Sequence, residues 1–594
     1  MTVPIDDMLI AAFTVERVKA AFYDYKYAKW DHFSDTAEPS ILIPMGVDGV
    51  SFEAFERQLE RHARNISRRV SEGNYLFQPF REVEIEKEPA TQDKPAKYRT
   101  LSIASVRDAL VQSILYREVL YDPLEALFSA LDNPSPVSFA YRKGKSAPDA
   151  ALAVFKYAQS GYWHVLDADL SKYFDTIPHN RLMSRLESFV DGISSKTYRL
   201  LYRFVHSDRV PYNSYRWRKG KHKVFQWSKP YRVRREKGVP QGGVLSGMLA
   251  NLYLHDFDSW IVTQLATKID LKYVRYADDF IVMARDSESL IVIQEKSKEQ
   301  IDNLCLNLND EKTDRIDIRS DGLDFVGFHF DEHDIRIRQR NIERYQERVK
   351  AVIREDKERY GIQPVNEIQT ARRLSRLIAY KIQGLSGQEW CPRCGQARIG
   401  KPRSWMAFFQ VVTDDYQLRI LDKWTRSITY QHVYELHRTR KKRKDLRKVG
   451  FRSLVNEKYR INKIRLKPCL CDLDNHGLEP FLSDLFVGKT FSTLQQRRQF
   501  SIKEGVSGNL QLTTANGRKY PIAKQTLLEL WMQLKESGQL SRVAIENSGI
   551  GNASHIIAML AELPSVEIMV RPTIRVFYRG PRIAPFLQNV RFEE

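Results

Sequence analysis

The sequence predicts an α+β protein: a first part that mixes strands with helices, a basic and mostly helical middle, and a small mixed domain at the end. Three observations carry this expectation. Short runs with a two-residue period interrupt helical patterns over residues 1–330. Apolar positions spaced three and four apart dominate 340–385 and 404–437. The charge is also uneven. Residues 1–330 hold 46 basic and 46 acidic side chains, 331–480 hold 34 and 19, and 481–594 hold 14 and 9. A length of 594 residues suggests roughly four units, placed at 1–105, 106–335, 336–480 and 481–594. With 42% hydrophobic and 28% charged residues, the composition is that of a globular chain rather than a disordered one. No apolar stretch approaches a membrane span, and Met1 to Ala12 lacks the pattern of a secretory leader. Five cysteines exclude a disulfide scaffold and point to a reducing cytoplasm.

The elements follow in order. Residues 13–30 and 51–72 have helical spacing. Val83-Glu84-Ile85 and Arg99 to Ile103 flank a Pro-bounded loop and predict a hairpin. Residues 106–120 predict a buried helix. Residues 162–170 alternate as a strand, with Val165, Asp167 and Asp169 on one face. Tyr273 to Ala284 and Asp324 to Phe330 predict further strands, and Cys305 reads as a core residue of a helix. In the last domain, helices are expected over 524–537, 541–547 and 553–562, followed by strands between Val566 and Tyr578. That order suits a winged helix-turn-helix, and equally a small packing or oligomerisation domain.

Tyr276-Ala277-Asp278-Asp279 is the sharpest local feature. Adjacent aspartates among strand formers oppose local propensity, and such conflicts mark functional positions. A tight hairpin turn would present both carboxylates, and a second acidic site lies upstream at Asp167 and Asp169. Carboxylates on neighbouring strands can hold two divalent cations roughly 3.5–4 Å apart. An all-oxygen ligand set suits Mg²⁺. Taken alone, an Asp-Asp pair in a turn is more often a solvated loop.

The order of motifs decides between these readings. Gly46-Val47-Asp48-Gly49, Arg99-Thr100-Leu101-Ser102-Ile103, Ser138 to Ser146, Asp169-Leu170-Ser171-Lys172-Tyr173-Phe174-Asp175, Gly238 to Ser246, Tyr276 to Asp279, Leu308 to Thr313 and Phe325-Val326-Gly327-Phe328 occur in sequence. In this order they resemble the reverse transcriptases, and within them the bacterial group II intron-like lineage, over about residues 44–440. The resemblance implies a right-hand polymerase of fingers, palm and thumb acting as an RNA-directed DNA polymerase. It implies Asp169, Asp278 and Asp279 as the catalytic carboxylates, with Asp169, Leu170, Asp278 and Asp279 at two Mg²⁺ ions. It further implies nucleotide contacts from Arg99, Lys97, Phe174, Gln241 and Lys312, with Phe174 beneath the sugar. Two positions depart from the family pattern. Gly247 follows Ser246 where the family has Pro, and Thr100 follows Arg99 where it has Pro.

Gln383 to Leu385, Trp405 with Phe408 and Phe409, and Leu421 to Trp424 resemble the family's thumb. Eight basic residues against Asp445 between Arg438 and Lys448 form the electrostatic footprint of a polyanion. Cys391, Cys394, Cys469 and Cys471 are candidates for a structural Zn²⁺ site, the alternative being unliganded thiols. The expected partners are a structured noncoding RNA template, a DNA product, dNTPs and either a second copy or a partner protein, with no membrane. The missing His-rich endonuclease makes the chain look like the defence-associated reverse transcriptases, with an intron maturase as the alternative. An RNA-dependent RNA polymerase is a third reading, which Phe174 and Tyr276-Ala277 oppose.

Overall fold

A computed structural model describes residues 4–29, 45–88, 95–133, 135–212, 218–219, 225–226, 231–360, 366–379, 382, 388–390, 397–399, 404–437, 451–462, 468–505, 508–571 and 573–578. They fall into two compact units, one of 1–344 with 411–417 and one of 345–410 with 418–594. Cys391, Cys394, Gln383 to Leu385 and the basic run at 438–450 lie outside the described residues.

The first unit is built on a four-stranded sheet. Its spatial order is Leu271–Tyr276, Asp279–Ala284, His164–Asp169, Asp314–Asp317, and every neighbouring pair is antiparallel. Asp279–Ala284 is interior, and five of its six residues are buried, which is why it reads as a continuous apolar run rather than an alternation. Helices Ser246–Trp260 and Ser287–Asn303 contribute to the core around this sheet, with Tyr253, Phe257, Leu290 and Ile293 meeting Leu166, Ala168, Phe280 and Val282. The expected N-terminal hairpin is present as Phe80–Glu88 paired with Lys97–Ile103. Asp324 to Phe330 resolves into a second hairpin, Leu323–Phe325 with Phe328–Phe330, turned at Val326-Gly327.

Three local expectations are corrected. A helix at Ile5–Ala12 precedes the expected one, with Ile5, Leu9 and Ala12 buried. The helix from Val106 does not end at 120. It widens into a π-helical stretch at Leu115–Leu120 and continues through Tyr121–Ser129. Pro123 accounts for the widening, since its ring would clash with the carbonyl four residues earlier in a regular α-helix. Cys305 is exposed and adopts φ 55° just past the end of helix Ser287–Asn303. The period that continued the helix to it broke at the left-handed turn.

In the second unit, part of the helix Gln339–Tyr360 joins Glu367–Ile378, Trp405–Phe408, most of Asp415–His437, and Leu454–Ile461. Trp405 packs between Tyr345 and Phe409, each ring centroid 4.7 Å away. Asp356 is fully buried and receives Arg373 Nε at 2.6 Å. Asp422 accepts from the Leu454 backbone N–H at 2.9 Å and from Ser453 Oγ at 2.6 Å, so it satisfies the start of the last helix.

The C-terminal part of this unit holds the three expected helices, Lys524–Ser537, Arg542–Asn547 and Ala553–Leu560, and the expected strand pair Val566–Met569 and Arg575–Tyr578. A further strand, Gln539–Ser541, pairs with Arg575–Tyr578. A four-stranded antiparallel meander, Thr490–Ser492, Gln499–Glu504, Leu510–Thr514 and Lys519–Ile522, was not anticipated. Its Ser, Thr, Gln and Lys content reads as loop, because only Phe500, Ile502, Leu510, Leu512 and Ile522 mark the buried face.

Candidate active site

The acidic turn sits where strand pairing dictates. Tyr276 pairs with Asp279 across a two-residue turn, and Asp279 pairs in turn with Asp169 on the neighbouring strand. Ala277 holds φ 60°, a left-handed conformation that disfavours any side chain. It brings Asp278 to the tip and leaves Asp279 facing Asp169. Asp169 and Asp279 share a hydrogen bond. Burial, then that bond, then the charge of Asp278 push the Asp279 carboxyl up to about 8. Asp169 is held below the usual carboxylate range: burial opposes this, but hydrogen bonds from Asp279, Lys312 and Asn309 outweigh it. Burial raises Asp278 as well. Burial and the neighbouring carboxylates thus favour the protonated form of Asp279. Such a desolvated, all-oxygen set fits a divalent cation, which would replace the proton.

Lys312 Nζ stands 2.5 Å from Asp169 Oδ2, and Asn309 Nδ2 lies 3.3 Å from the same oxygen. The segment that carries both is held by Asn309 N–H donating to the Asp169 carbonyl at 2.8 Å and by an isolated bridge of Leu170 to Leu308. Asp167 lies on the same face, paired with Asp314, and burial followed by the charges of Asp314 and Asp169 pushes it up to about 7. With one charged oxygen of Asp169 engaged by Lys312, the described residues contain no group of three His, Cys, Asp or Glu already spaced around a metal ion.

The other predicted residues gather around this turn to different degrees. Gln241 lies in the loop after Gly238, and its carbonyl accepts from the Ser102 N–H at 2.7 Å, tying the loop to the Lys97–Ile103 strand. Gly238 adopts φ 77°, and a Cβ there would meet the Phe174 carbonyl at 2.6 Å. The loop therefore closes on Phe174, whose carbonyl also accepts from the Val239 N–H at 2.7 Å. Arg99 is exposed, and its charge reaches both Asp278 and Tyr141. Lys97 shares the strand face of Arg99 but lies at its outer end, opposite Glu88.

Sequence reasoning missed two features. The first is Arg275, which is 1% exposed. Its Nε donates to Asp258 Oδ1 at 2.7 Å, and Nη1 donates to Asn251 Oδ1 and to the Ala277 carbonyl, each at 2.9 Å; Nη2 pairs with Asp258 Oδ2. Burial opposes its charge, but the Asp258 carboxylate raises the guanidinium pKa above its ordinary value. Arg275 thus holds the strained turn from beneath. The signal was an arginine flanked by apolar strand residues and directly before Tyr276. The second is Tyr141, at φ 59°, whose ring stands edge-on to Phe174 at 6.3 Å. A Cβ on Gly247 would lie 2.4 to 2.6 Å from that ring, so the departure from the family's Pro makes room for Tyr141. Of the zinc candidates, Cys469 and Cys471 have sulfurs 3.0 Å apart.

Residues 85–330 match the family model described as reverse transcriptase (RNA-dependent DNA polymerase). The chain is 26% identical over 318 residues to protein YkfC of Escherichia coli, covering 48% of this chain and 74% of that one. It is 26% identical over 341 residues to the group II intron-encoded protein LtrA of Lactococcus lactis, covering 47% of this chain and 50% of LtrA. A solved structure of telomerase from Candida albicans with a TWJ fragment of telomeric RNA aligns with a TM-score of 0.34 at 14% identity, over 69% of this chain and 65% of that one. At that score the likeness carries no argument.

Proposed function

We propose that this chain, whose residues 85–330 form a reverse-transcriptase domain, copies a bound noncoding RNA into DNA. The observation that carries the reading is the facing of Asp169 and Asp279 across paired strands, with Asp278 in the turn just before Asp279 and the Gln241 loop closed on Phe174. Asp169, Asp278 and Asp279 would hold two Mg²⁺ ions, with the Leu170 main chain beside them. When bound, these supply activation of a primer 3′-hydroxyl and charge neutralisation at the leaving pyrophosphate. The chain's own groups do the rest. The hydrogen bonds of Arg275 orient the turn. Arg99 meets the triphosphate, and a guanidinium matches phosphate oxygens in pairs. The Phe174 ring excludes a 2′-hydroxyl, and Gln241 bears on the nucleotide and template. Lys312, held at the Asp169 carboxylate, would be placed to donate to the pyrophosphate once that carboxylate holds a cation. Lys97 extends the same positive strand outward.

The wider reading divides the chain into fingers at 1–105, palm at 106–335, thumb at 336–480 and a C-terminal domain at 481–594. It places the chain in the cytoplasm, acting in antiphage defence, alone or with a partner. Cys391, Cys394, Cys469 and Cys471 form a structural Zn²⁺ site in this reading, supported by the close sulfurs of the second pair. Among the described residues no helix is long and apolar enough to cross a membrane. The likeness to LtrA, a group II intron-encoded protein, favours a second reading, a group II intron maturase and reverse transcriptase acting in splicing and mobility.

One experiment separates the readings. Nucleic acid that co-purifies with the wild type and with Asp278→Ala/Asp279→Ala is sequenced. A single discrete RNA, with complementary DNA lost in the variant, is the expected result. Intron RNA with its flanking exons would establish the second reading, and DNA that persists in the variant would overturn the assigned site.

A further inference from the structure

In the C-terminal domain, Lys524–Ser537, Gln539–Ser541, Arg542–Asn547, Ala553–Leu560, Val566–Met569 and Arg575–Tyr578 follow one another as in a winged helix-turn-helix. The helix that would read a groove in such a fold is Ala553–Leu560. Here it is sheathed. Ala553 and Ile556 to Leu560 are buried, it carries no Asp, Glu, Lys or Arg, and its His555 meets the Phe500 ring of the meander edge-on at 4.8 Å. Reading by this helix is therefore closed off.

The meander that covers it has the opposite character on its outer side. Register sets Ser501, Thr513 and Lys519 in one row across three strands, with Lys503 beside Gln511 and Pro521 in the next. Gln499 completes the face, and the turn residues Arg497, Arg498 and Arg518 rim one end of the sheet. Residues 487–523 hold six basic side chains and one acidic, while the remainder of 481–594 holds eight of each. The whole positive excess of the domain thus sits on this sheet. Arg497, Arg498, Lys503, Arg518 and Lys519 are all exposed, and none makes an ion pair with a described residue.

We infer that the outer face of the meander docks on A-form RNA, gripping phosphates with its cations and 2′-hydroxyls with its Gln, Ser and Thr side chains. Charge complementarity requires a polyanion. Four strands span about 14 Å between the outer two, wider than the ~12 Å major groove of B-DNA, whereas the minor groove of A-form RNA is wide, shallow and lined with 2′-hydroxyls. The aromatic residues of the sheet, Phe491, Phe500 and Tyr520, are on the inner side by register, so the outer face offers no platform for unstacked bases. This deepens the RNA-copying reading and rests on it for the source of the RNA.

The test uses the full chain with Lys503→Gln/Lys519→Gln, and as probes an RNA hairpin of about 16 base pairs and a DNA duplex of the same sequence. The expected result is a roughly tenfold loss of RNA affinity, with the salt slope shallower by about 2 between roughly 50 and 200 mM. DNA affinity, the thermal melt and primer extension on a short unstructured template stay unchanged. A second variant, Ser501→Lys/Thr513→Lys, should tighten the hairpin. Unchanged RNA affinity in both variants overturns the inference, as does an equal loss for RNA and DNA. A change in self-association with RNA affinity retained would make the face a subunit contact and also overturn it. If the wild type extends no primer while hairpin binding still depends on the lysines, the polymerase reading fails and the docking face stands.

Discussion

The acidic hairpin and the C-terminal meander are both antiparallel sheets that carry charge, but they place it oppositely. At the hairpin, charged groups are paired and mostly desolvated: Arg275 with Asp258 underneath, and Asp169 with Asp279 and the exposed Lys312 at the edge. On the meander, Arg497, Arg498, Lys503, Arg518 and Lys519 are exposed and make no ion pair with a described residue, and the buried face is apolar. The difference teaches what each surface is suited to do. Chemistry on a developing charge needs groups fixed beforehand in a dry setting. Attraction of a long polyanion needs only a positive field that water does not quench at contact.

The largest effect should come from the carboxylates themselves. Asp278→Ala/Asp279→Ala is expected to lower primer extension by more than about a thousandfold, in line with removal of metal ligands, while a thermal melt shows the fold retained. Extension within tenfold of wild type would place the chemistry elsewhere.

Arg275→Met comes next. It leaves Asp258 buried without its partner, and losses of about 3–5 kcal/mol follow from breaking such pairs. Urea unfolding should report that loss. Arg275→Met/Asp258→Leu should recover much of the stability but little of the activity, because the Ala277 carbonyl has still lost its donor. Full recovery of both would reduce Arg275 to a packing role.

Gly247→Ala is smaller. The new Cβ would sit within 2.6 Å of the Tyr141 ring and push it toward Phe174. Steady-state kinetics should show KM for dNTPs rising about tenfold or less, with ribonucleotide discrimination altered. An unchanged KM would show the ring to be free to turn away.

The smallest effect concerns Asp167, whose folded pKa of about 7 lies well above the ordinary aspartate value. A raised carboxyl binds its proton more tightly in the folded chain, so stability falls as pH rises from about 4 to 7 and then levels off. Asp167→Asn removes that dependence. Without divalent cations the variant should gain on the wild type across this window, by more than about 1 kcal/mol at pH 8. Parallel stability curves would mean that Asp167 is as well solvated in the fold as in the unfolded chain.

The acidic turn was legible because its residues contradict their surroundings. Two aspartates between Tyr276 and Phe280 have no structural excuse in a buried strand, and the Asp169 motif supplies the partner at a fixed register. Arg275 escaped notice because a lone arginine in a strand ordinarily faces water, and nothing local announces Asp258 and Asn251 on a helix 17 and 24 residues earlier. The C-terminal helices were legible by period, and the meander was not. Its strands put Ser, Thr, Gln and Lys outward, so in sequence they resemble loops such as the turn at Ala515 to Arg518.

The contact of Tyr141 with Gly247 also bears on how this site could change by descent. While Tyr141 occupies the space above Gly247, even a single added methyl meets the ring. A proline at the second position therefore requires the aromatic ring at the first to turn aside or be lost. The two positions, 106 residues apart in the chain, form a step that a single substitution crosses poorly from either side.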